Sequence, residues 1–239
     1  MLRHEMKIAI MQPYFYPYIG YFQLIAEVDL FVIYDDIQYV KQSWINRNRI
    51  LVGGRPAYIS LPLKKDSDYI SVNQRMLAQT WKKDRLKLLQ KIQGNYAKAP
   101  YYKEVFPLLE RLLTSTEVNL FAFLLNNLNG VLQALSITTE VIQSSDIGLD
   151  AGLRAEDKVL AICHALNATN YINPIGGIEL YNKDHFLEQG IQLNFLKTMV
   201  TPYKQFESEH VPFLSIIDVL MFNSVDSVRK KIETEYLLC

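Results

Sequence analysis

Residues 11–25 read MQPYFYPYIGYFQLI, and Pro13 and Pro17 within that stretch constrain the fold more than any other feature of the chain. Each proline lacks an amide hydrogen and pushes the residue before it out of the helical region. The apolar run Lys7-Ile8-Ala9-Ile10 that precedes them must therefore end in a stiff loop. From Tyr18 onward, Ile19, Phe22, Leu24, Ile25 and Val28 return at helical spacing, which predicts a helix over residues 18–28. Leu30-Phe31-Val32-Ile33-Tyr34 then reads as a second strand. A β-loop-α-β unit results, and such units bind ligands in the crevice at the carboxyl ends of their strands.

The rest of the chain extends that pattern. Ile50-Leu51-Val52 and Tyr58-Ile59-Ser60-Leu61 flank Gly53-Gly54, a pair suited to the positive φ angles of a tight hairpin turn. Trp81 to Gln93 reads as a helix stopped by Gly94 or Asn95, and further helices are expected at 101–114 and 118–136. Strand signals return at 139–143, 169–173 and 192–196, separated by helical stretches near 154–167 and 182–189. Helices over 213–222 and 224–235, the second with Ser224 as N-cap, close the chain. This alternation predicts an α/β fold with a mainly parallel, Rossmann-like sheet. The expectation is one domain over residues 1–239, with a helical annex at about 81–136 between the two β/α halves.

No apolar stretch approaches the roughly 20 residues needed to span a bilayer, and MLRHEMKIAI has no apolar region long enough for a secretory signal. A cytoplasmic protein without an integral membrane segment is expected. Cys163 and Cys239 lack paired spacing, so neither a disulfide framework nor a thiolate zinc site is indicated. Cys163 falls on an apolar helix stripe and reads as core packing.

The formal net charge of zero hides an asymmetry. Residues 37–103 hold 14 Lys or Arg against Asp66, Asp68 and Asp84, a balance of +11, and Ile37 to Lys65 contains no acid. Such a segment suits a phosphate-bearing ligand or an anionic membrane surface, or else a solvated face paired with acids from elsewhere in the fold. No nucleic acid partner is expected.

Asp35-Asp36 falls at the carboxyl end of the second predicted strand, where a carboxylate can bind Mg²⁺, orient a hydroxyl or take a proton. Neighbours along a strand face opposite ways, so one of the two is expected to face the crevice. In Asn46-Arg47-Asn48-Arg49, guanidinium forks alternate with amides, which suits bidentate contact to phosphate. Arg47 is expected to bind phosphate more directly than the lysines of the Trp81 helix, and Asn48 joins Asp35 and Asp36 as a catalytic candidate. Gly176-Gly177 after a strand lets backbone approach a ligand, and Ser145 ends another strand with a hydroxyl. Gln12, Tyr18, Gly20, Tyr21, Asn46 and Arg49 complete the expected binding set. The cofactor is left open, with Mg²⁺ as the candidate.

Met11-Gln12-Pro13 with Pro17 and Gly20, Asp35-Asp36-Ile37-Gln38, Asn46-Arg47-Asn48-Arg49-Ile50, Tyr96-Ala97-Lys98-Ala99-Pro100-Tyr101, Ser144-Ser145, Gly176-Gly177 and Pro212-Phe213-Leu214-Ser215-Ile216-Ile217-Asp218 together resemble the WbqC-like family of bacterial proteins. The resemblance implies a role beside surface-polysaccharide (O-antigen) genes, with glycyl or acyl transfer to an amino sugar as the suggested chemistry. Met11 stands where many members have His. Tyr18-Ile19-Gly20-Tyr21 is also similar in placement to the His-x-Gly-His signature of nucleotidylyltransferases, with both histidines replaced by tyrosine. The expected ligand is a nucleotide-linked sugar or another phosphate-bearing small molecule. The alternatives are an Mg²⁺-dependent nucleotidylyltransferase-like enzyme and a non-catalytic partner in glycan assembly.

Overall fold

The computed structural model describes residues 5–150, 152–206 and 209–239. Its centre is a six-stranded sheet in the order β5-β2-β1-β6-β7-β8. These strands are Lys7–Met11 (β1), Leu30–Ile33 (β2), Glu140–Gln143 (β5), Asn170–Pro174 (β6), Gln192–Thr198 (β7) and Tyr236–Leu238 (β8). The pairings from β5 to β7 are parallel, and β8 joins β7 antiparallel. A separate antiparallel hairpin, Arg47–Val52 (β3) with Arg55–Ser60 (β4), turns on Gly53 and Gly54 at φ +56° and +77°. Both angles lie where a Cβ would be strained, which is why the turn needs glycine.

Strand alternation sorts the core into two faces. Ala9, Phe31 and Ile33 point into one cluster with Phe22, Leu24 and Ile25 of α1 (Ile19–Glu27). Ile8, Ile10, Leu30 and Val32 point into the other, with Val159, Ile162 and Cys163 of a helix at Ala155–Ala165. A sheet buried on both faces reads as continuous apolar runs, as β1 and β2 do. Each fully buried side chain of this size contributes about 1.5–3 kcal/mol. Between β4 and β5 lie α2 (Trp81–Tyr96), α3 (Tyr102–Leu113) and α4 (Leu120–Ala134), which join the first cluster through Trp81, Leu109, Phe123 and their neighbours. The helices after β5 are α5 (Ala155–Ala165), α6 (Lys183–Glu188), α7 (Ile216–Phe222) and α8 (Val225–Thr234), and Ser224 caps the last by accepting from the Ser227 amide.

Three elements depart from the sequence pattern. Helix α2 runs through Gly94 and Asn95 to Tyr96, because Tyr96 is fully buried and its hydroxyl accepts from the Leu51 amide and donates to Asp218, each at 2.7 Å. Helix α7 begins at Ile216 rather than 213, where the Ser215 hydroxyl accepts from the Ile217 amide as an N-cap. Strand β8, beyond the last expected helix, finds its ladder on β7.

The proline loop is held by residues distant in sequence. Asn48 Nδ2 donates to the carbonyls of Phe15 and Tyr16 at 3.0 and 2.8 Å, and the Ser215 hydroxyl donates to the Tyr16 carbonyl at 2.7 Å. Tyr16, at φ +42°, donates its hydroxyl to Asn127 of α4 at 2.6 Å. The carbonyls of this loop are thus satisfied by side-chain donors from β3 and the α7 cap, while α4 accepts the Tyr16 hydroxyl. Among the described residues no helix is long and apolar enough to cross a membrane.

Candidate functional site

Strands β1 and β6 are neighbours, yet the chain leaves β1 towards β2 on one side and β6 towards β7 on the other. Such a reversal leaves an unfilled crevice beyond the carboxyl ends of the two strands. Here it is a cavity of about 870 Å³. Met11 and Gln12 line it from the end of β1, Tyr34, Asp36 and Gln38 from the loop after β2, and Asn173, Gly176 and Gly177 from the end of β6. Lys158 of α5, Arg154 just before it, Tyr171 and Tyr181 also line it. Its volume falls within the range of small-molecule sites.

The two adjacent aspartates divide as their opposite directions require. Asp35 is 1% exposed, and its carboxylate accepts from the Ser144 hydroxyl and Ser145 amide at 3.0 Å and from the Ser145 hydroxyl and Asn73 amide group at 2.8 Å. Asp36 faces the cavity. Its Oδ2 accepts from Lys158 Nζ at 2.5 Å and its Oδ1 from the Ser144 hydroxyl at 2.5 Å. One hydroxyl hydrogen therefore lies between two carboxylates, tying the Asp36 carboxylate to the rigid β5 end. Burial alone would raise the Asp36 carboxyl, but the Lys158 ammonium and Ser144 hydroxyl outweigh it and hold the group below its ordinary value.

Lys158 is 6% exposed, with its ammonium 4.9 Å from the centre of the Tyr34 ring. Burial, followed by the charge of Asp36, pushes the Tyr34 hydroxyl up to about 12, so it stays a donor at neutral pH. At Gly177 an added Cβ would stand 2.1 Å from Asn173 Nδ2, whereas at Gly176 it would meet nothing within 4 Å. The cavity thus offers one oriented carboxylate, a buried lysine, several tyrosine side chains and a glycine-lined backbone wall.

The structure gathers Gln12, Asp36, Gly176 and Gly177 around this cavity, with Asp35 and Ser145 directly behind Asp36. Other expected residues lie outside its lining. Tyr21 is buried and donates to the Gln12 carbonyl at 2.9 Å, supporting the loop from below. Tyr18 lines a separate small pocket with Thr198 and Phe213, and Gly20 packs beneath Tyr18 and Thr198, where a Cβ would lie 2.2 Å from the threonine hydroxyl oxygen. Asn46 accepts from Tyr39 and donates to the Leu61 carbonyl, and Asn48 is spent on the proline loop. Arg47 stacks on Tyr58, and Arg49 lies over Trp44 while donating to the Phe213 carbonyl.

Sequence reasoning missed Lys158, Tyr34, Asn173 and Tyr181. A signal for Lys158 existed: it precedes Ile162 by four positions, on the edge of the apolar stripe of α5, where a lysine is out of place unless it has a buried partner. Cys163 is buried with its thiol pushed up to about 12 by desolvation, in keeping with packing. For Mg²⁺ the carboxylate facing the cavity is Asp36. Among the described residues no group of three or more His, Cys, Asp or Glu side chains is arranged to hold a metal ion.

A second polar cluster lies away from the cavity. Asp218 is fully buried and accepts from Tyr96 at 2.7 Å and from Tyr203 and Gln205 at 2.6 Å. Burial raises its carboxyl despite those donors.

Comparison with known proteins matches residues 12–230 to the model of the WbqC-like protein family. Rv1507c of Mycobacterium tuberculosis (strain ATCC 25618 / H37Rv), itself an uncharacterized protein, is 31% identical over 221 residues, covering 91% of this chain and 93% of that protein. No solved structure matches the chain.

Proposed function

Because the chain belongs to the WbqC-like protein family, we propose that it is a transferase of bacterial surface-polysaccharide biosynthesis, passing a glycyl or acyl group to a nucleotide-linked amino sugar. The observation that carries this reading is the cavity at the β1/β6 switch point with the Asp36–Lys158 pair in its wall. The glycine-lined side of β6 suits close approach of a pyrophosphate. Tyr34 and Tyr181 supply ring faces and hydroxyls for a base or sugar.

In the transfer, the sugar amine attacks the donor carbonyl, the new C–N bond forms, and the bond from carbonyl carbon to the donor's leaving group breaks. The proton that the amine sheds ends on the departing group, so the products are the amide and the protonated leaving group. Asp36, kept ionised and oriented by Lys158 and Ser144, is placed to accept a hydrogen bond from that amine, and its role is orientation, since a depressed carboxyl is a weak base. The test is incubation with a panel of nucleotide sugars and acyl or aminoacyl donors, read by mass spectrometry. A mass gain on the sugar that is lost in a folded Asp36→Asn variant supports the proposal. Pyrophosphate release that depends on Mg²⁺ would instead favour nucleotidylyl transfer, and tight binding without turnover a non-catalytic role in glycan assembly.

A further inference from the structure

The outer face of the β3–β4 hairpin carries a continuous strip of cations and aromatic rings. Ile50 and Ile59 turn inward and are buried, while Arg47, Arg49 and Tyr58 alternate to the outside. Arg47 lies 4.6 Å from the centre of the Tyr58 ring, Tyr58 is 6.3 Å from Trp44, and Arg49 lies 5.6 Å from the centre of Trp44. Arg49 also donates to the carbonyl of Phe213. At the opposite end, Lys91 of α2 donates to the Tyr58 carbonyl at 2.8 Å.

Three observations say that this strip faces a partner. The rings stay out of the core: Trp44 is 37%, Tyr58 49% and Phe213 53% exposed. Phe213 is held out at φ +56°, a backbone conformation that costs a bulky residue energy. Among the described residues Arg47 and Arg49 also make no ion pair. Among the described residues, the ion pairs made by the basic segment 37–103 are Lys41–Asp68 and Lys87–Asp84, both internal to it, so acids elsewhere in the fold do not neutralise it.

We propose that this face docks on an anionic phospholipid surface, with Arg47 and Arg49 on lipid phosphates and Trp44, Tyr58 and Phe213 at headgroup depth. Charge complementarity selects an anionic partner, since Ile37 to Lys65 carries six basic residues and no acid. The aromatic rings select a bilayer interface, where Trp and Tyr place an apolar body and a polar edge at once. Arginine held on a ring by cation–π contact keeps its outer nitrogens for phosphate. The inference is independent of the proposed activity.

Flotation with phosphatidylcholine vesicles, with and without about a quarter phosphatidylglycerol, tests it. The intact protein should float with the anionic vesicles at low salt, stay behind with neutral ones, and be released by high salt. Vesicle affinity should fall about fivefold for each of Arg47→Gln and Arg49→Gln, the factor equivalent to about 1 kcal/mol per basic residue. Lys230→Gln, an exposed charge on α8 outside the strip, should leave it unchanged. Of the two tryptophans Trp81 is 4% exposed, so a blue shift of emission on adding anionic vesicles reports Trp44 without any substitution. Absence of flotation and of the blue shift would overturn the proposal. So would equal losses in the arginine and Lys230 variants, or arginine-dependent retention on single-stranded DNA without vesicle binding.

Discussion

Replacing Lys158 with methionine keeps most of the side-chain stem but removes the ammonium that Asp36 accepts from at 2.5 Å. Asp36 then retains the Ser144 hydroxyl, and its side chain is 31% exposed, so water can take up part of the lost contact. The cost should be that of one hydrogen bond to a charged group, about 1.5–3 kcal/mol. Asp36→Ala is the reverse case. It strands an ammonium whose side chain is 7% exposed beside the Tyr34 ring, and the cost should approach the 3–5 kcal/mol of an uncompensated buried charge. The more exposed partner is thus the more damaging one to remove. Urea midpoints of the two variants measure this order directly. The pH dependence gives a second check. Because the Asp36 carboxyl is held below its ordinary 3.8, its contribution is present above that value and is lost as pH falls through the folded-state value. The gap between wild type and Lys158→Met should be full above about pH 5 and should close only as pH falls below 3.8 through the folded-state value. A Lys158→Met cost equal to or larger than that of Asp36→Ala, or a gap that persists unchanged in acid, would refute the reasoning.

Tyr96→Phe removes a hydroxyl that serves both the Leu51 amide and Asp218, so two buried groups lose a partner and stability should fall by about 2–4 kcal/mol in a thermal or urea melt. Gly176→Ala should melt like wild type, since its methyl enters open cavity space, yet weaken nucleotide-sugar binding in calorimetry. Gly177→Ala should alter binding by a different route, displacing the Asn173 side chain that shares the cavity wall, and a variant that binds as wild type would remove that wall from the site. Gly20→Ala should lower stability by about 1–3 kcal/mol, because the new methyl meets Thr198 and Tyr18 at once.

The parts of this fold that were legible in the sequence are those set by local rules. Prolines ended β1, glycines turned the hairpin, and apolar runs marked β1 and β2. The crevice residues Gln12, Asp36, Gly176 and Gly177 were legible because they follow strands, and a parallel sheet puts all such positions at one end. The Asn46 to Arg49 segment shows the limit. Alternating amides and guanidiniums suggested a ligand, but Asn48 serves the carbonyls of Phe15 and Tyr16, more than 30 positions earlier, a demand invisible from the motif itself. Lys158 was hidden for the complementary reason. Its partner Asp36 lies 122 residues away, and only the packing of α5 against the β2 end brings them together. Gly94 and Asn95 stop many helices, but here Tyr96 gains two buried hydrogen bonds by prolonging α2 past them.

The position of β1 at the middle of the sheet has a consequence for how the chain is made. Its partner β2 follows within one helix, but its other partner pairs Lys7 with Asn170, so half of the β1 backbone has no neighbour until 163 further residues exist. At a ribosomal rate of about 5–20 residues per second, that interval lasts on the order of 10–30 seconds. During it, an apolar strand with one open edge is available to any other strand it meets. The closing of the sheet by β6 is also what forms the cavity, since Gly176 and Gly177 arrive with it. The nascent chain therefore completes the cavity only when the open edge of β1 is covered, and protection from misassociation and formation of the crevice are completed in the same step.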